Sequence, residues 1–282
     1  MKLIALILAL MIAVMSVVAT ITPGSKNYKK PNPVAEIGKE IAKPLSQVDQ
    51  IGPEIERVLD GAGVKLPSLT GSKPVKEDLK HAAQDYTGAS FANMDLPRTN
   101  FASSLLSAAQ FNDALLDGAS LEGASGDKVN FKDARMAKSN LSAAMFPNSD
   151  FSGADLREAK ARAGDFANSL FVGADISFAT FAGATLADAD LRAAYAAGAS
   201  FVGASIGAAK FDGATLTGVR FTNASLEGAS FAGADVKSAD FTGAKLGGAD
   251  LSGAVNLTTE QLAAACATAD TKLPAGITAR RC

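Results

Sequence analysis

The sequence predicts a β-solenoid of about eight square coils, with short helical caps and an apolar export or anchor segment in front of it. Three observations lead there. A large apolar residue recurs at every fifth place from Phe91 to Leu251. Alanine dominates two places before each of them. The 282-residue chain has no Trp and only 3 Tyr, so it lacks the bulky groups of an ordinary globular core.

An amphipathic helix repeats near 3.6 and a half-buried strand at 2, so a period of five is neither. Let i be the large residue. Stepping by five gives 33 such places, of which 30 hold Phe, Leu, Ile, Val or Met. Gly126, Ala161 and Ala196 are the exceptions. Ala fills 24 of the 33 places at i−2. In an extended segment alternate side chains face the same way, so i−2 and i point inward and i−1 outward. Residues i+1 and i+2 turn a corner, and Gly213, Gly218, Gly228, Gly233, Gly243 and Gly248 stand at i+2, where freedom in φ helps. Four sides of five residues close a coil of twenty. About eight coils at roughly 4.8 Å give an array about 40 Å long.

A twenty-residue coil assigns each side chain to a wall. Phe91, Phe111, Phe131, Phe151, Phe171, Phe211 and Phe231 share one wall with Leu191 and Leu251 and form its structural core. The neighbouring wall, from 96 to 236, holds no Phe. Each buried large side chain contributes roughly 1.5–3 kcal/mol before entropy is counted. The weak places Gly126, Ala161 and Ala196 read first as locally thin core, with a bend or a binding notch as alternatives.

"ADFTG", "ADLSG" and "ASFAG" resemble the pentapeptide-repeat family, whose unit is a small residue, a short polar one, Leu or Phe, then two variable residues. The resemblance covers about 165 of the 282 residues. It implies a right-handed quadrilateral β-helix. It implies less about activity, because one scaffold serves several roles. Some members resemble DNA in shape and charge and bind DNA gyrase.

In chain order, residues 1–22 come first. Lys2, an apolar run from Leu3 to Val18 and small residues after it follow the plan of a secretory signal. Carried to Ile21, the run is long enough to span a bilayer. A cleaved signal and a retained anchor both stay open, and membrane contact is placed on residues 3–21. Residues 23–85 form a helical or linker region. Val34, Ile37, Ile41, Val48, Ile51, Ile55 and Val58 fall at heptad places, but Pro44 and Pro53 interrupt a single helix. Short helices joined by bends, or self-association through 34–58, are the two readings. Val75, Leu79, Ala82 and Tyr86 predict a helix over the first coil. Residues 86–255 are the array. Residues 256–282 are a capping helix and tail, with Thr258 and Gln261 as a capping box and the helix running to about Thr268.

The chemistry classes narrow quickly. The formal net charge is −2, and residues 86–255 carry 13 Lys and Arg against 18 Asp and Glu, so nucleic acid is not an expected partner. Asp155, Asp175, Asp235, Asp240 and Asp250 stand at i−1 as outward polar residues of the repeat. His81 is the only His and has no partners in a site pattern, so no catalytic set, metal site or cofactor is expected. Cys266 and Cys282 predict a disulfide if the chain is exported. Together these give a non-enzymatic structural or protein-binding solenoid. It is exported to, or anchored in, a cell envelope, periplasm or other oxidising lumen, with an unidentified protein as partner. Two alternatives stand beside it: the gyrase-binding DNA mimic that the resemblance implies, and a membrane-tethered spacer or oligomerisation module.

Overall fold

The computed structural model describes residues 82–282, within the second of the two units, Thr70–Cys282, into which the chain divides. The readings on residues 1–81 lie outside the described residues. These are the export or anchor segment, the heptad places of 34–58, Val75 and Leu79 of the first cap, and His81.

From Asp85 to Asp235 each i−1 residue pairs in parallel with the residue twenty places on, as in Ser90 with Gln110, Gln110 with Asn130 and Asn130 with Asp150. The period of a coil is therefore twenty. Every side has room for one bridged residue only, since corners follow at five-residue intervals, so the array is built of isolated bridges. Within Phe101–Leu251 residues i and i−2 are buried, as at Phe211 and Ala209.

A backbone count explains the repeat. The i N–H donates to the next coil, as Phe91 N to Gln110 O at 2.7 Å. The i+2 N–H does the same, as Asn93 N to Asn112 O at 3.0 Å. The i−1 N–H donates to the preceding coil, as Gln110 N to Ala89 O at 2.9 Å. The next i−2 N–H closes the corner, as Met94 N to Phe91 O at 3.1 Å. From Ala83 to Gly248 every i+2 residue has φ between 53° and 70° while i+1 does not, the signature of a type II turn. Only the i+1 N–H remains, and an Asp or Asn side chain at i−1 takes it at many of the corners. Asp150 Oδ1 accepts from Ser152 N at 2.8 Å, and Asn100, Asn130, Asn140, Asp165, Asp175 and Asp240 accept in the same way. Where the short polar residue is Asp or Asn it thus caps its own corner, a role that outward polarity alone does not describe.

The core holds two aromatic ladders. On the first wall Phe91, Phe111, Phe131, Phe151 and Phe171 stack at 4.6–5.0 Å between ring centroids. Leu191 breaks the ladder, and Phe211 and Phe231 resume it at 5.1 Å. A second ladder of Phe181, Phe201, Phe221 and Phe241 stands on the opposite wall. The two meet edge to face, as Phe211 and Phe221 do at 5.6 Å, the arrangement that ring quadrupoles favour. The wall between them is aliphatic, with Leu116, Met136, Leu156, Ile176 and Leu216 buried.

Gly126 is filled from nearby, and a ring packs close along the chain to Ala161. A Cβ on Gly126 would lie 2.7 Å from Val129 Cγ2 and 2.7 Å from the Leu106 carbonyl carbon, so Val129 occupies that volume. Three residues after Ala161, a Cβ on Gly164 would meet the Phe166 ring, which packs against Phe151, Phe171 and Phe181. Nothing in the structure explains Ala196.

Where Val129 and Ser149 should close corners, serine hydroxyls of the following coil replace the carbonyl. Val129 N donates to Ser149 Oγ at 3.0 Å and Ser149 N to Ser169 Oγ at 3.1 Å.

Both ends differ from expectation. Ala82 and Tyr86 are coil, not helix: Ala83 has the corner φ of 61°, and Asp85 bridges Leu105. The Tyr86 ring contacts Phe91 and Phe101 at 5.3 and 5.6 Å, so an aromatic residue in phase five places before Phe91 prevails over helical spacing. At the other end, α1 is Thr259–Leu262, four residues rather than ten. Its capping box is Thr258 with Gln261, and Gln261 Nε2 also donates to Val236 O and Ala239 O of the last coil at 2.8 Å. The helix stops because the chain must return to the coil edge, where Cys266 pairs with Lys245 and Lys272 with Asp250. Cys266 and Cys282 form a disulfide, their Cα atoms 5.1 Å apart.

Candidate protein-binding surface

The seven phenylalanines named as core are all buried, so they offer nothing to a partner. Fourteen of the fifteen phenylalanines are inside; Phe178 alone is outside, 69% exposed. It stands at i+2, a corner place, with φ of 58°. Left-handed backbone costs a non-glycine residue roughly 1–2 kcal/mol, and a bulky side chain has no local hydrogen bond to offset it. The ring leans on the next coil, where a Cβ on Gly198 would come within 2.7 Å of it. Gly198 therefore makes the seat on which Phe178 rests.

Tyr195, 57% exposed, projects from the middle of the aliphatic wall in that same next coil. It bridges Asp175 on one side and Thr215 on the other. Many of the outward residues on these coils are small, among them Ala193, Ala197, Gly198, Thr217 and Gly218, while Asp175 borders Tyr195. Two aromatic side chains thus rise from low surroundings, the composition of an interface anchor. Phe178 was legible in the sequence as the one phenylalanine out of the five-residue phase; Tyr195, at i−1, had no such mark.

The charged groups nearby are occupied. Arg157 donates to Asp155 at 2.6 and 2.8 Å and lies 3.8 Å from Asp175. Its guanidinium holds the Asp155 carboxyl below the usual carboxylate range. Arg192 does the same to Asp190, at 2.7 Å. Asp240 is lowered by the Thr242 hydroxyl and backbone N–H, its own corner cap. Asp250 falls to about 2, through Ser252 first and then Lys272. Among the described residues no group of three or more His, Cys, Asp or Glu could hold a metal ion.

These carboxylates set the acid behaviour. A folded pKa below the unfolded value gives stability that is present above the unfolded value and lost as pH falls through the folded one. The array should therefore weaken between about pH 4 and about pH 2. Asp250→Asn should remove that residue's share of the acid sensitivity while keeping its corner cap, as Asn130 shows. Asp250→Ala should lose both. Melting curves of the three proteins from pH 2 to 7 check this; identical acid profiles for wild type and Asp250→Asn would contradict it.

The chain matches the family model described as pentapeptide repeats, in eight copies over segments that run from 87–123 to 220–255, more than half of its length. Among the curated proteins none matches. Among solved structures it is similar to full-length QnrB1, a plasmid-mediated fluoroquinolone resistance protein. The identity is 19%, the coverage is 67% of this chain and 93% of that one, and the TM-score is 0.51. It is also similar to HetL, a pentapeptide repeat protein involved in heterocyst differentiation regulation from the cyanobacterium Nostoc sp. strain PCC 7120. There the identity is 25%, the coverage 66% and 86%, and the TM-score 0.31. The twenty-residue coil, the five-residue phase and the match over the whole array lead to one conclusion: this chain belongs to the pentapeptide-repeat family.

Proposed function

We propose that the protein is a non-enzymatic scaffold that binds a protein partner through the wall carrying Phe178 and Tyr195, in an oxidising compartment outside the cytoplasm. The observation that carries the reading is Phe178 itself. A bulky apolar group in left-handed backbone, exposed to water, is unfavourable on both counts. Such a residue is best accounted for by something that covers it. The outward carboxylates that lead one to look for catalysis serve the corners instead. The Cys266–Cys282 bond supports an oxidising compartment, which fits export through the apolar segment of residues 3–21. Likeness to QnrB1 at 19% identity speaks for the fold alone. The gyrase reading gains little from an outer surface where Arg135, Arg157 and Arg192 neutralise carboxylates.

The test is a photoreactive residue at position 178 in the living cell. A discrete adduct with one protein is expected, and it should vanish when Tyr195→Ser is added. The same adducts from a probe at Ser205, on another wall, would overturn the reading. Phe178→Asn should bind no partner yet melt at the same temperature or slightly higher, because Asn tolerates this backbone and already stands at i+2 in Asn148 and Asn168. A large drop in melting temperature would show that Phe178 is there for stability.

A further inference from the structure

We infer that the Cys266–Cys282 bond is a redox latch: its reduction frees the terminal segment 277–282, which two copies of this chain then exchange.

The outermost layer of the array is thinly held. Ala267 N donates to Arg280 O at 2.9 Å, and Cys282 N donates to Ala267 O at 3.1 Å. Thr278 N adds a bond to Thr259 Oγ1 at 3.3 Å. Ile277 and Ala279 pack partly on the core cluster that includes Leu262 and Ala265. Beneath this layer the end is firmer. Cys266 is held by its own N–H to Ala244 O at 2.8 Å and by Leu246 N to its carbonyl at 2.7 Å. The disulfide therefore ties a weak layer to a strong one.

The bond is open to attack, since Cys282 is exposed. A dithiol reductant supplies the thiolate. It attacks Cys282 Sγ, the bond to Cys266 Sγ breaks, and Cys266 leaves as a thiolate that takes up a proton. The second thiolate of the reductant then displaces Cys282 from the mixed disulfide. The protein gains two electrons and two protons in all, and the dithiol becomes a disulfide.

Once the tail leaves, the N–H and C=O of Ala267 lose their partners, and the core cluster loses the cover of Ile277 and Ala279. An open strand edge over an apolar floor recruits another chain. The occupant is a second copy, because the slot already accepts the sequence Arg280–Cys282 in parallel, and an identical tail fits it equally well. The hinge is in place as well: Gly276 has φ of 81°, in a turn closed by Ile277 N to Pro274 O at 3.1 Å.

The experiment mixes unlabelled and 15N-labelled full-length chains, reduces them with dithiothreitol under native conditions at high concentration, and reoxidises them. Expected are disulfide-linked peptides that join Cys266 of one label to Cys282 of the other, in a species of doubled mass relative to the unreduced chain. Linked peptides of one label only would overturn the exchange. Amide hydrogen exchange at 277–282 that is no faster in the reduced chain would overturn the latch. The Cys266→Ser/Cys282→Ser variant should show the same gain in mass with concentration, whatever the oxidant. If it keeps the mass of the oxidised wild type while its tail exchanges freely, the second copy is excluded.

Discussion

Phe171→Asp is expected to leave the array unfolded at ordinary temperature. Phe171 is 1% exposed and stacks on Phe151 at 4.8 Å between ring centroids. Its ring also meets Phe166 and Phe181 edge on, at 6.1 and 5.9 Å. It stands where the first ladder ends and the second begins, so it joins the aromatic core of both halves. The substitution loses a buried aromatic side chain, about 3–5 kcal/mol. It also places a carboxylate in an apolar tube with no partner, and the group either carries its charge there or binds a proton at further cost. The sum exceeds what most single substitutions do and is comparable to the stability of a whole domain. Circular dichroism during heating reads it directly. An unchanged transition would mean that position 171 faces water.

Gly126→Leu, which restores the repeat to its own rule, is expected to destabilise. A pattern-based argument predicts the opposite, since 30 of the 33 central places hold a large residue. The interior there is already occupied. The first atom of a new side chain would press on Val129 and on the Leu106 carbonyl carbon, each at 2.7 Å. Backbone cannot swing aside as a side chain can, so the loss should reach or exceed the roughly 1–3 kcal/mol of ordinary overpacking. Adding Val129→Ala should recover only the part owed to the valine. A higher melting temperature for Gly126→Leu alone would show that the place is a void after all.

The two positions mark how far the sequence could be read. The five-residue phase, its parity and the wall to which Phe171 belongs depend on spacing along the chain, and spacing is visible in a string of letters. The match of Val129 to Gly126 is different. It depends on which atoms lie above and below, and the i−2 and i places of two sides trade volume across a corner. The same limit hid the work of Asp150 and Asn130. Their outward direction follows from parity, but the i+1 N–H they cap is found only after every other donor has been traced. Tyr86 shows the reverse case. Its helical spacing with Leu79 and Ala82 suggested a cap, while its phase with Phe91 was equally legible and describes its place in the structure. Of the binding surface, Phe178 was visible as an exception to the phase. Its seat on Gly198 was not, because residues twenty apart become neighbours only in the coil.

A ladder that joins residue n to residue n+20 from Asp85 to Val255 also governs how such a chain can change its length. Removing twenty residues between Phe101 and Leu170 would leave Phe178 and Tyr195 facing the same way, about 4.8 Å nearer the first coil. Removing five would keep the tube intact but bring both rings out a quarter turn round it, on a different wall. Removing one would carry every later large residue from the inward i place to the outward i−1 place. Insertions and deletions in this scaffold are therefore quantised: multiples of five preserve the fold, and multiples of twenty also preserve the direction in which it presents its surface.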